Sequence, residues 1–252
     1  MRVLVVASAV VHLALIGILL GDTRLSVMLL CAFAANHVVL AWGVIHPRSR
    51  LFGPVRHRLT TTKRVVALTF DDGPHPLVTP RVLDILRARS VHATFFLVGK
   101  WVELYPGIVR RIVEEGHTVG NHSFTHSYLF WTSSPHRLAR EIRKAQRTIE
   151  SVTQTPCQWF RAPVGMKNCY LRGVLERQGL VLVSWDARFL GRRPFQAERL
   201  ARRLRRKLVP GSILMLHDGH DRRPEGNPAI IETLPVLLDA LEASGYRSVP
   251  LA

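Results

Sequence analysis

Two apolar runs open the chain: residues 3–20, broken only by His12, and residues 25–45, ending in AWGVI. The polar stretch GDTR separates them. Each run approaches the ~20 residues that carry a helix across a bilayer. A connection this short predicts an antiparallel transmembrane hairpin over residues 1–46, with both ends on one side. A cleaved signal peptide is the rival for the first run, although no clear small-residue cleavage site precedes the second. His12, Asn36 and His37 inside the runs are expected to bond across the helix pair rather than to mark a site.

Beyond residue 64 the period shortens into alternating strands and amphipathic helices. RVVALTF predicts a buried strand, and residues 80–89 a helix started by proline. HATFFLV is the next strand, PGIVRRIVEEG a helix stopped by glycine, and HTVGNHS a strand running into a loop. The longest predicted helix covers 135–152, with Leu138, Ile142, Ala145 and Ile149 on one face. QWFRAP, a helix at 170–178, LVLVSW, a helix at 195–209, SILMLH and a helix at 229–243 complete the series. Repeated strand-then-helix units predict an α/β fold with a parallel sheet or barrel over residues 65–252.

Charge adds a third segment. The formal net charge is +17, and residues 47–64 (HPRSRLFGPVRHRLTTTKR from His46 on) hold six basic residues and no acid. This reads as a basic juxtamembrane linker, which puts that side of the membrane, and the domain after it, in the cytoplasm. A balance this basic suits an acidic partner such as anionic lipid or a phosphorylated substrate. Within 195–209, Leu200, Leu204 and Leu208 share one face amid basic residues, so that helix either lies on an anionic bilayer or is simply a solvated outer helix. Nucleic acid is not an expected partner, because no aromatic–basic interleaving appears. Cys31, Cys157 and Cys169 make neither a disulfide framework nor a CxxC zinc site.

Candidate chemistry clusters where predicted strands end. Asp71 and Asp72 follow the first strand in TFDDGP, on a turn fixed by glycine and proline. Strand ends are where α/β sheets and barrels place active sites, although Asp-Gly-Pro is also ordinary turn chemistry. His122 and His126, four apart in HSFTH, would present both imidazoles to one ion from a single helical turn. With Asp72 they form an N2O donor set that suits zinc and leaves room for water. Arg161 in RAPVG, Trp185 and Asp186 in SWD, and His217 in LMLH each follow or end a strand.

These motifs, in this order and spacing, resemble the polysaccharide deacetylases, the NodB-like domains of carbohydrate esterase family 4. The resemblance covers roughly residues 63–250. It implies a distorted (β/α) barrel of the NodB type, here preceded by the transmembrane hairpin. It further implies Asp71 as general base, Asp72, His122 and His126 as ligands of a divalent metal such as zinc, and His217 as the acid that protonates the departing amine. Arg161 would hold the base, and a backbone N–H near Val164 would meet the oxyanion. Two departures stand out. RAPVG replaces the more usual RPPYG, so Pro163 and Val164 line the site without an aromatic ring. The fourth motif lacks its Asp-Trp pair; Asp186 would substitute in part, and Trp185 beside it is a candidate for the substrate site.

The function expected from these readings is metal-dependent hydrolysis of an N-acetyl or N-formyl group from an amino sugar. A lipid-linked glycan at the cytoplasmic face of a bacterial-type inner membrane is the first candidate substrate. An extracytoplasmic deacetylase of peptidoglycan or another GlcNAc polymer is the alternative, and a catalytically inactive binding protein is a third.

Overall fold

The computed structural model describes residues 2–19, 21, 23–188, 202, 206, 208–219, 225 and 227–251. The expected helix at 195–209 therefore falls almost wholly outside the described residues.

Helices α1 (Arg2–Leu19) and α2 (Thr23–Ile45) occupy the two apolar runs. They pack side by side at Gly17, which faces Ser26 and Leu29. Among the described residues, Ser26–Ile45 is long and apolar enough to cross a membrane. It exposes Met28, Val38 and Trp42 rather than burying them. His37 Nδ1 bonds to the Phe33 carbonyl, one turn back in its own helix, not across the pair.

The remainder is a curled parallel sheet with helices packed around it. Its strands are β1 (Val65–Asp71), β2 (Thr94–Leu97), β3 (Thr118–Asn121), β4 (Trp159–Phe160), β5 (Val181–Leu182), β6 (Ala187–Arg188), β7 (Ile213–His217) and β8 (Arg247–Ser248). They lie in the order β5-β4-β3-β2-β1-β7-β6, with β8 also beside β1. β1 is buried along almost its whole length, as a continuous apolar run in a parallel sheet covered on both faces must be. Helices α3 (Thr79–Ala88), α4 (Gly99–Leu104), α5 (Pro106–Glu114), α6 (Pro135–Thr153), α7 (Leu171–Glu176) and α8 (Ala229–Glu242) surround it. In α6, Ser134 accepts a hydrogen bond from the Arg137 N–H as N-cap, and Leu138, Ile142, Ala145 and Ile149 are the buried stripe.

The basic segment is not a free tether. The Arg56 N–H donates to Leu182 O (2.9 Å), Ser184 N–H donates to Arg56 O (2.8 Å), and Leu59 N–H donates to Gly211 O (2.8 Å). Residues 56–58 thus bridge from β5 to the start of β7, and Val55 is buried. Part of the expected linker is a stave of the barrel wall.

Candidate active site

Register explains how distant motifs meet. Asp71 pairs with His217 across β1 and β7, and with Phe96 across β1 and β2. Asn121, the last residue of β3, pairs with Leu97 on one side and Phe160 on the other. Because all these strands are parallel, Asp71, His122, Arg161 and His217 gather at one end of the sheet.

Asp72 leaves β1 in the left-handed region (φ 74°). Its Oδ1 lies 3.3 Å from His122 Nε2 and 3.1 Å from His126 Nε2. All three residues are buried, and one donor atom from each lies within 4.8 Å of the others. His122 Nδ1 is 2.8 Å from the Arg161 carbonyl, so Nδ1–H donates there and Nε2, turned to Asp72, gives up its proton when it takes an ion. Burial works against the Asp72 carboxylate, but hydrogen bonds from His122 and His126 hold it well below the usual range. An anionic oxygen and two imidazole nitrogens in a buried cluster fit a divalent cation.

The histidines do not share a helical turn. Residues 122–126 form a loop with Ser123 (φ 66°) and His126 (φ 54°) in the left-handed region. Asn121 fixes this loop: its Oδ1 accepts the Ser123 N–H (2.8 Å), while its Nδ2 donates to Ile142 O (2.9 Å) and Gln146 Oε1 (3.1 Å). Ser123 Oγ then accepts the His126 N–H (3.1 Å). Asn121 carries no weight in the sequence reading. Its place between a strand and the first histidine is the signal that marks it.

Asp71 is 2% exposed, and the fully buried Arg161 donates to its Oδ1 at 2.6 Å. The same guanidinium donates to Thr69 Oγ1 (2.8 Å) and Ser184 O (3.1 Å) and lies 4.0 Å from the Phe96 ring centre. Burial lowers the Arg161 pKa, and Asp71 opposes that. Arg161 therefore holds one oxygen of Asp71 and leaves the other for chemistry.

Pro163–Gly165 forms a 3-10 turn over this cluster, with Val164 left-handed (φ 51°) and exposed. Trp185 lies beneath it. Gly165 has φ +73°, and a Cβ there would collide with the Trp185 ring. Trp185 thus supports the turn and flanks Arg161, whose guanidinium lies 5.8 Å from its ring centre. Asp186 does not join the site. Its carboxylate is bound by Arg58 Nε (2.7 Å), Arg48 Nη1 (3.2 Å) and Ser212 Oγ (3.1 Å), at the far end of β7 from His217. A solitary acid next to a tract of arginines is captured by them, so Asp186 fastens the basic segment and does not replace the missing motif.

Two further residues were not singled out by sequence. Asp218 is buried beside His217 and accepts a hydrogen bond from Thr79 Oγ1 (2.5 Å), and burial pushes its pKa up to about 7. The Asp218 and Gly219 N–H groups donate to the Asp71 carbonyl, which clamps the His217 turn onto the DDGP turn. Lys167, three residues after Val164, donates from Nζ to His46 O (2.8 Å) and Pro47 O (3.2 Å). Burial lowers its pKa to about 8. Among the described residues all three cysteines are free thiols.

Known proteins resemble this chain over the same domain. The polysaccharide deacetylase family profile matches residues 58–183. A chitooligosaccharide deacetylase of Azorhizobium caulinodans is 35% identical over 206 residues, covering 77% of this chain and 96% of that protein. A peptidoglycan-N-acetylglucosamine deacetylase of Bacillus cereus is 32% identical over 202 residues, 79% of this chain and 92% of that one. Among solved structures, a peptidoglycan N-acetylglucosamine deacetylase superposes with a TM-score of 0.70 at 28% identity, covering 78% of this chain and 90% of the other. Likeness that runs through nearly the whole of a relative, on the same curled sheet, means that this chain belongs to the polysaccharide deacetylase family.

Proposed function

We propose that the protein is a metal-dependent amidohydrolase that removes an acyl group from the amino nitrogen of a sugar. The observation that carries this is the buried Asp72–His122–His126 trio beside the Asp71–Arg161 pair. Asp72, His122 and His126 would hold the ion, with zinc the best match to their donor set. Such an ion, when bound, polarises the amide carbonyl and lowers the pKa of water. Asp71, with one oxygen committed to Arg161, accepts the water's proton on the other. The Val164 backbone N–H, in the turn backed by Trp185, would meet the developing oxyanion. His217, opposite Asp71 on β7, delivers a proton to the departing amine.

The substrate we favour is an amino sugar on a lipid carrier. What supports it is the seating of α2: the Lys167 N–H donates to Val44 O (3.3 Å) and its Nζ to His46 O and Pro47 O. The end of the apolar helix is therefore held by a residue three positions after Val164, in the loop that follows its turn. If Ser26–Ile45 spans the bilayer, the site opens beside the membrane surface. We place the domain on the cytoplasmic side of a bacterial-type inner membrane, a reading supported by the positive charge of the segment after α2. A second reading, an extracytoplasmic deacetylase of a GlcNAc polymer, is favoured by relatives named for chitooligosaccharide and peptidoglycan substrates. Mass spectrometry of membrane glycolipids and wall sugars from cells carrying Asp71→Asn tests both. N-acyl mass retained in the glycolipid pool supports the first reading, retention in the wall pool the second, and no change in either contradicts the enzyme itself. A reporter fused after residue 64 reads the orientation.

A further inference from the structure

A cavity of about 660 Å³ lies outside the catalytic cluster, between the basic segment, α7 and the start of β5. Its floor is apolar, made by Phe52, Val55, Leu59, Leu171, Leu175 and Leu182. Its rim is cationic. Glu176, the acid in the lining, is bound to Arg172 at 2.7 Å, and Arg58 is bound to Asp186. Among the described residues, Arg50 and Arg56 are in no ion pair, and the Arg56 guanidinium lies over the Trp159 ring at 5.0 Å. Two arginines without carboxylates above a greasy floor are an amphiphile's complement: phosphate at the rim, hydrocarbon below.

The location selects among amphiphiles. Leu51 and Phe52 fold back onto Gly43, within the last turns of α2, so the cavity begins where the apolar helix ends. A helix that crosses the bilayer through Ser26–Ile45 sets this cavity at headgroup depth. The volume falls within the range of small-molecule pockets and accommodates a headgroup with the first part of its chains.

We infer that this cavity is a binding site for an anionic glycerophospholipid of the surrounding membrane, its phosphate held by Arg50 and Arg56 and its acyl chains against Phe52 and Leu59. The inference rests on the membrane reading of α2. The bound lipid ties residues 50–59, which form part of the barrel wall, to the bilayer surface.

The test uses the full chain, purified in neutral detergent with zinc and returned to phosphatidylcholine vesicles with or without phosphatidylglycerol. Native mass spectrometry then reads the lipid retained. Wild type retains phosphatidylglycerol in preference to phosphatidylcholine. The variant R50Q/R56Q loses that preference roughly thirty-fold, at about one membrane-surface charge contact per arginine. V181W, which fills the cavity from its exposed rim without changing charge, loses it as well. Both variants keep wild-type zinc content, which shows an intact fold. Wild-type retention by V181W overturns the inference in favour of diffuse attraction to the basic segment. Displacement of the lipid by inorganic phosphate alone overturns it in favour of a soluble anion. Flotation with neutral vesicles is read separately: if the chain does not float, the membrane reading itself fails, and the lipid assignment with it.

Discussion

Replacing Arg161 by methionine isolates the contact on which the catalytic base depends. Methionine keeps much of the side-chain volume over Phe96 but removes the donors to Thr69, Asp71 and Ser184. Asp71, 2% exposed, is left as a carboxylate without a counter-charge. Breaking a buried ion pair from one side costs roughly 3–5 kcal/mol, because the surviving charge keeps its desolvation penalty. That is a large part of the ~5–15 kcal/mol by which domains are stable. At ~2–4 °C per kcal/mol for a domain of this size, melting falls by roughly 6–20 °C. Asp71→Asn strands the guanidinium in the same way. The double variant D71N/R161M removes both charges and is less destabilised than the sum of the singles by about 1–3 kcal/mol. Thermal unfolding followed by near-ultraviolet circular dichroism, on full chains in one detergent, reads all four proteins. A loss under ~1 kcal/mol for R161M, with additive singles, refutes the buried pair.

Asp218 gives a pH signature. Its folded pKa of about 7 lies above the ordinary carboxyl value of 3.8, so its contribution to stability is full below pH ~4 and is lost as pH rises towards ~7. In metal-free protein, D218N abolishes that decline, which is roughly 4 kcal/mol at most; parallel wild-type and variant curves between pH 4 and 7 contradict it. Gly165→Ala strains a left-handed residue against Trp185 and costs about 1–3 kcal/mol, with acyl hydrolysis falling because the Val164 N–H moves; unchanged kcat and melting show that the turn tolerates a side chain. Lys167→Met frees the carbonyls at the end of α2, so trypsin cleaves after Arg48 and Arg50 roughly ten-fold faster, and equal cleavage rates remove Lys167 as the tie.

The sequence showed what repeats and what is chemically rare. β1 and α6 were legible because each carries a full period of burial, a seven-residue strand buried at all but its first position and four buried positions at helical spacing. Asp71, Asp72, His122, His126, Arg161 and His217 were legible because reactive side chains ended successive apolar strands. The two-residue strands β6 and β8 were not, since neighbours rather than their own pattern create them, whereas β4 and β5 are short cores of QWFRAP and LVLVSW. The HSFTH loop was misjudged as helical because spacing of four does not reveal two left-handed residues held by Asn121 and Ser123. Asp186 was misplaced for a similar reason: only the folded chain brings Arg48 and Arg58, more than a hundred residues away in sequence, onto its carboxylate.

In the proposed function Asp72, His122 and His126 hold the ion with which Asp71 hydrolyses an N-acyl amino sugar. The direct measurement is metal content per full chain, paired with acyl release from N-acetylated chitooligosaccharide and from a lipid-linked N-acyl amino sugar. Wild type is expected to carry zinc and release acyl from one of these, D71N to keep its zinc but lose release by roughly a hundred-fold or more, on the order expected for a general base, and H122A/H126A to lose both. Undiminished zinc in H122A/H126A, or full acyl release by D71N, contradicts it.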